Sequence, residues 1–469
     1  MFGVYESNIL KIKYNLSFCI LFTLMEGDKG NNKKENNNDE FDPDENKDQV
    51  NDINDINEND ENIFINPEDI QEIEEIDKEA LKEEMGEEMD IEENIDLANN
   101  NNDNNQNNKK DIKEEEENYH KEYENFKTDG EIYAINFHQG SGTLIIGDGE
   151  DTTYFFNLDK KEITKKEKLN TDSVNFIKFS ADNKYMLTAS VDGSINIFNA
   201  TKNFELINTI KDQDGEINWV DWHPKGPAFS FGTSEGAVWV YMATNIKNNF
   251  NFYSHNESCT CGMFIEEGKK LISGGEDASV KIYELKEKKI EYTIKGKKFI
   301  QNPLTCIDVC KSRAIAVCCS IANEFCLINY QNGNILFYRQ YPSVSQQNAC
   351  SIENVSFCYN DQYIVFADSE NHLNIFEMKS MSLRSSITVH GDNLTKIIPS
   401  KKKSYEVYCS SSNGYLYLFD TRGMGTVVLR EKCHSDVIMD FVVTENENYI
   451  ITSSIDKTIN LVKTVELQE

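Results

Sequence analysis

One unit of sequence recurs eight times along this chain, and nothing else in it limits the possible folds as tightly. The copies run Ile132–Leu158, Val174–Ala200, Ile217–Ala243, Cys259–Leu285, Leu304–Tyr330, Ile352–Met378, Leu394–Thr421 and Val437–Thr464, with starts 42, 43, 42, 45, 48, 42 and 43 residues apart. The sharpest copy, read from Asp214, is DGEINWVDWHPKGPAFSFGTSEGAVWVYMA, and it holds all three tryptophans, Trp219, Trp222 and Trp239. An alternating run with Ile217 and Trp219 leads to His223-Pro224, a small-residue run spans Ala228 to Gly232, Ser234-Glu235-Gly236 turns the chain, and Val238 to Tyr241 follows. Period-two alternation bounded by turn residues marks short strands. A unit with room for four strands, repeated about every 40 to 45 residues, predicts a propeller blade, because a helical array would show 3.6-residue spacing. The expected fold is all-β, an eight-bladed propeller with blades starting near 132, 174, 217, 259, 304, 352, 394 and 437.

The third-strand endings resemble the WD-repeat (WD40) family in worn form. Its Trp-Asp dipeptide stands here as Phe156-Asn157, Phe198-Asn199, Tyr283-Glu284, Phe376-Glu377 and Phe419-Asp420, and departs further at Ile328-Asn329 and Val462-Lys463. Of the family's hydrogen-bonded tetrad only the last repeat keeps a candidate set, His434, Ser453 and Asp456, without its Trp. The last repeat ends at Thr464 with three strands' worth of chain. The resemblance therefore implies that Tyr119–Lys127 supplies the missing outer strand and closes the ring, making 119–469 one domain. Closure removes two open sheet edges.

Charge divides the chain. The net charge is −34, of which residues 1–130 carry −26 and residues 131–469 the remaining −8. Nucleic acid is a poor partner for such a chain, since binding it depends on concentrated Lys and Arg. From Glu26 to Asn118 the sequence is Asn, Asp and Glu with few aromatics, too little apolar surface to offset chain entropy, so disorder is expected. Within it, Asn66-Pro67-Glu68-Asp69 followed by Ile70, Ile73, Ile76, Leu81, Met85 and Met89 has the cap and spacing of a transient acidic helix. Residues 1–25 carry two lysines and a short apolar run, which fits an over-extended start ahead of Met25 or a weak signal, and the run is too short to span a bilayer. The 12 cysteines show no regular spacing and make no disulfide framework. A monomer without membrane attachment is expected, in the cytoplasm and with the nucleus open to it.

No catalytic constellation is legible, and no cofactor or metal is expected. Gly140, Gly142, Gly147 and Gly149 straddle a hairpin with no helix after it, unlike a phosphate loop. Cys259, Cys261, Cys306, Cys310, Cys318, Cys319 and Cys326 read as buried strand positions rather than zinc ligands. What remains is a surface. In a WD-type propeller the loop leading into each blade and the turn between its second and third strands lie on one rim. Those positions hold Glu150, Asp151, Asp172, Asp192, Asp214, Glu216, Glu235, Glu257, Glu276 and Asp277, an acidic arc over blades one to four, interrupted by Lys295, Lys297 and Lys298 before blade five. Asp192 and Asp456 also stand where the family uses Asp to fix a turn. Trp219 is expected either at this rim, holding a cation on its ring face, or buried between blades.

A closer resemblance rests on EINWVDWHP (Glu216–Pro224), GEDTTYFFN (Gly149–Asn157) and SCTCGMFIEEGKKLISGGEDASVKIYEL from Ser258. These are similar to the angio-associated migratory cell protein group, whose fungal relative is a dedicated chaperone of a large-subunit ribosomal protein. The resemblance implies a non-catalytic propeller whose acidic face holds the basic segment of a newly made large-subunit ribosomal protein. Independent physical logic agrees, because an acidic face offers a basic chain charge complementarity and fast encounter. The alternatives are a general scaffold in signalling or trafficking and a ubiquitin-ligase substrate receptor. The last would need an adaptor-binding element that the sequence does not display.

Overall fold

The computed structural model describes residues 126–211, 215–310, 312–341, 350–389 and 393–464. The expectations for residues 1–25, for the acidic region 26–118 with its helical island, and for 119–125 lie outside the described residues. Within them, thirty-two strands form eight four-stranded sheets, each antiparallel and each built from consecutive segments except the last. That sheet takes Ile438–Val443, Tyr449–Ser454 and Thr458–Lys463 from the C-terminal end, and Phe126–Lys127 from the N-terminal end pairs at its outside, Phe126 opposite Ile459 and Lys127 opposite Thr458. The fold is the eight-bladed propeller that the repeat predicts.

The core is distributed around the ring. Eight apolar clusters occupy the eight seams between neighbouring sheets, one cluster per seam. Strand alternation produces this, because successive side chains point to opposite faces and each blade buries both. The seam between blades three and four holds Trp219, Val238, Phe252, Cys259, Phe264, Leu271 and Tyr283. At about 1.5–3 kcal/mol for each large apolar side chain removed from water, every seam binds its two blades strongly.

A second device joins the blades near the axis. In all eight inner strands the register slips by one residue after the first position, a bulge that leaves the second residue unpaired. Where that residue is Asn or Thr it can reach the next blade. Asn218 donates to the Cys259 carbonyl (3.1 Å), Thr260 to Leu304 (2.7 Å), Thr305 to Ile352 (2.6 Å) and Thr395 to Ile438 (3.5 Å). Asp221, Asp308 and Asp440 add to the ring by accepting the backbone N–H of Phe264, Phe357 and Ile135 in the following blades (2.8, 2.8 and 3.0 Å).

Ring closure has a testable consequence. Deleting residues 119–127 removes the cover from Thr458–Lys463 and exposes a sheet edge, so soluble aggregates should appear in light scattering. Deleting the low-complexity run 99–107 should leave scattering and melting unchanged. Equal behaviour of the two deletions would rule out closure by the N-terminal piece.

Candidate peptide-binding face

One hydrogen bond repeats in every blade and builds the face. The first residue of the turn between the second and third strands donates its N–H to the residue just before the inner strand: Gly149 to Glu131 (2.8 Å), Ser234 to Glu216 (2.9 Å), Glu276 to Ser258 (2.8 Å), with Val191–Ser173, Ile321–Pro303, Ser369–Ser351, Ser412–Asn393 and Ile455–Val437 completing the set. Incoming loop and turn are thereby fastened together at one end of every sheet.

Several carboxylates on this face are occupied in shaping it. Asp192 accepts from the N–H groups of Thr171 (2.7 Å) and Ser194 (2.8 Å) and from both hydroxyls. In blade four, Asp277 accepts from Asn256 N–H (3.1 Å), Ser279 Oγ (2.7 Å) and His255 Nδ1 (3.0 Å), while His255 Nε2 meets Ser273 Oγ at 2.7 Å and Ser273 meets the Tyr283 hydroxyl at 2.8 Å. This is a complete four-residue network with Tyr283 in the place of Trp. The sequence does not single this network out, a candidate set being legible in the last repeat alone. In the last blade the reading needs correction: His434 Nε2 pairs with Thr452 Oγ1 (2.8 Å), and Ser453 turns to the other face of its strand and donates to the Asp440 carbonyl (3.1 Å). The alternation of strand side chains admits one of these two neighbours and not both. Asp456 accepts from Ser435 N–H (2.9 Å) and Thr458 Oγ1 (2.6 Å). Asp148, Glu324 and Asp368, which the sequence did not single out, play the same part in blades one, five and six.

The remaining acids of the arc differ in surroundings. Glu150, Glu235 and Glu257 are exposed and Glu276 is half-buried. None of these four has an ion pair among the described residues. Burial, together with the charge of Glu257, raises the Glu276 carboxyl above its ordinary value. Burial is the larger cause, and repulsion from the Glu257 carboxylate adds to it, with no cation among the described residues paired to either group. Asp151 pairs with Lys168 at 3.4 Å, and Asp172 accepts from the N–H of Ser173 (2.7 Å). Glu216 lies at the foot of its turn, its N–H bonded to Ser234 Oγ (3.0 Å). Asp214 lies outside the described residues. Glu370 of blade six and the exposed Asp436 of blade eight share the face, so acid extends beyond the expected arc, while Lys295, Lys297 and Lys298 are exposed before blade five.

Trp219 is not a rim residue. It is 6% exposed, its indole N–H donates to Cys259 Sγ (3.2 Å), and it fills the seam between blades three and four. Placed third in its inner strand, it points sideways into the neighbouring sheet and leaves the face without its aromatic element. The described cysteines lie in or beside strands, all buried except the half-buried Cys306. Among the described residues no helix is long and apolar enough to cross a membrane.

Asp277 gives the network a pH signature. Burial alone would raise its carboxyl, but the hydrogen bonds from His255 and Ser279, the His255 charge and the Asn256 N–H outweigh burial and hold it well below its ordinary value. A carboxyl depressed in the folded state stabilises at pH above its unfolded value and loses that contribution as pH falls through the range beneath. Asp277→Asn should therefore cost about 2 kcal/mol at neutral pH and melt with a shallower acid dependence below about pH 4. Thermal denaturation from pH 7 to pH 2 checks both; parallel curves for the two proteins would contradict the network.

Comparison with known proteins gives a consistent picture. The family model described as a WD40-like domain matches residues 130–455. The angio-associated migratory cell protein of Canis lupus familiaris is 24% identical over 335 residues, 69% of this chain and 75% of that protein. Saccharomyces cerevisiae Sqt1 superposes with a TM-score of 0.66 at 17% identity, covering 73% of this chain and 98% of the other. Chaetomium thermophilum Sqt1, solved bound to the N-terminus of the ribosomal protein L10, superposes with a TM-score of 0.64 at 18% identity over 71% of this chain and 97% of the other.

Proposed function

The chain belongs to the WD40-like family, and from that premise we propose that it is a non-catalytic holder of a basic peptide segment, acting as chaperone of a newly made large-subunit ribosomal protein. The observation that carries this reading is the set of carboxylates without cationic partners among the described residues, Glu150, Glu235, Glu257 and Glu276, on a face whose geometry is fixed by its own turns. A rigid acidic face lowers the entropy lost on binding an extended basic chain, and its field speeds encounter. The likeness to the angio-associated migratory cell protein, and to a fold solved with a ribosomal protein's N-terminus, supports that class of client.

Co-purification at low salt tests the reading. A free large-subunit ribosomal protein should be captured, and a Lys/Arg-rich peptide from its N-terminus should bind by fluorescence anisotropy with an affinity that falls steeply with salt. Capture of membrane or receptor proteins, with salt-insensitive or absent peptide binding, would replace the chaperone with a signalling or trafficking scaffold.

A further inference from the structure

Lys281 is the anomaly of the acidic face. It lies in the third strand of blade four, Val280–Glu284, and is only 8% exposed, yet its ammonium has no ion pair or hydrogen bond with another of the described residues. Its nitrogen is not among the fully enclosed polar atoms, so it reaches the surface. Burying an ammonium without an anion is costly.

The surroundings explain why the chain does not pair it. Lys281 shares its sheet face with Ser273, directly opposite on one side, and Thr293, directly opposite on the other. The acid whose charge acts on it is Asp277, but both of its oxygens are taken by His255, Asn256 and Ser279. Glu291, the one acid on the adjoining outer strand, is held by Lys270 at 2.8 Å. The outer strand of blade three, Asn249–Tyr253, contributes no acid. Two residues beyond Thr293 the same face brings up exposed Lys295, whose charge acts on Lys281. Lys295 opens a loop that is itself fixed: Phe299 and Ile300 are buried in the seam of blades four and five, and Gln301 donates its N–H to Glu324 (3.0 Å).

We propose that Lys281 and Lys295 form an anion site at the edge of the seam between blades three and four, which receives one carboxylate of a protein partner. Taken with the basic-segment reading, on which its client rests, this makes the client bipolar: an acidic residue or chain terminus seats on the two lysines while the neighbouring basic residues lie along Glu257, Glu276 and Glu235. The paired lysines then set register beside the acids of blades three and four.

The site can be tested without a client. In the full chain labelled with 13C at lysine Cε, acetate should move the Lys281 and Lys295 signals together along a saturating curve, with Lys297 and Lys298 drifting linearly. In Lys281→Met, which keeps the stem and should melt no lower than the parent, the Lys295 signal should lose saturation. A Lys/Arg-rich peptide bearing one Glu should then bind about tenfold more tightly than its Gln counterpart, and Lys281→Met should close that gap. Linear acetate shifts at Lys281, or equal affinity of the two peptides for the parent, would overturn the proposal. So would saturation by inorganic phosphate alone, which would assign the site to a phosphorylated group. If acetate saturates while neither peptide binds, the anion site stands and the basic-client reading falls.

Discussion

Trp219→Ala should lower stability by about 3 to 5 kcal/mol and leave peptide affinity per folded molecule unchanged. The indole fills the seam of blades three and four, and two glycines have been placed to admit it: a Cβ on Gly232 would come within 2.0 Å of its Nε1, and one on Gly262 within 2.4 Å of its Cζ2. Removing the ring leaves a cavity lined by Val238, Phe252, Phe264 and Leu271, and leaves Cys259 Sγ without its donor. The strands carrying Gly232 and Leu271 cannot collapse inward freely, because each is paired on both sides within its sheet. The glycines supply a second readout. Gly262→Ala should be strongly destabilising in the parent and much milder in the Trp219→Ala background, a non-additivity expected only of groups in contact. Chemical denaturation of the four proteins measures this cycle. Additive effects, or a small loss in Trp219→Ala accompanied by weaker peptide binding, would return the indole to the rim.

The same residue shows what the sequence could and could not disclose. Repeat spacing was enough for the fold, since eight concordant units of strand-turn-strand pattern leave few architectures. The face was also legible, because turn position follows from the repeat. Whether a given acid on that face is available was not. Asp192 and Glu235 look alike in sequence, both between the second and third strands of a blade, yet Asp192 receives several hydrogen bonds from its own turn and the loop before it, while Glu235 points outward beside Gly236 at φ 77°. In blade three the turn is held by Thr233 Oγ1 and the left-handed glycine, so no carboxylate is needed there. Blade four hid its network for a different reason. Tyr283 offers a hydroxyl where the family offers an indole N–H, and chemistry rather than residue identity joins it to Ser273 and His255. The direction of Trp219 was open because alternation alone leaves two faces, and only the adjoining glycines of the partner strands decide between them.

Changing Glu235, Glu257 and Glu276 together to Lys should weaken a Lys/Arg-rich peptide about 100-fold while shifting the melting temperature little. These three stand in blades three and four, lack cationic partners among the described residues, and contribute no hydrogen bond that shapes a turn through their side chains. Each reversal replaces an attraction by a repulsion, so even modest exposed-pair energies of about 0.5–1 kcal/mol are doubled at each site. Their reach is limited to about 8 Å at physiological salt, and the variant's binding should accordingly lose most of its salt dependence. Asp192→Asn and Asp277→Asn form the contrasting pair, removing the same charge from turn-shaping positions, and should cost stability first. Acid adds a further discrimination: because burial and the charge of Glu257 raise the Glu276 carboxyl, protonation of Glu276 should contribute to the parent's loss of peptide affinity on acidification, and Glu276→Gln should remove that contribution. Lys297→Glu with Lys298→Glu, on the loop leading into blade five, should leave peptide binding intact or strengthen it. Full affinity in the folded triple variant would remove the acidic face from the mechanism, and the partner would have to be sought on another surface of the ring.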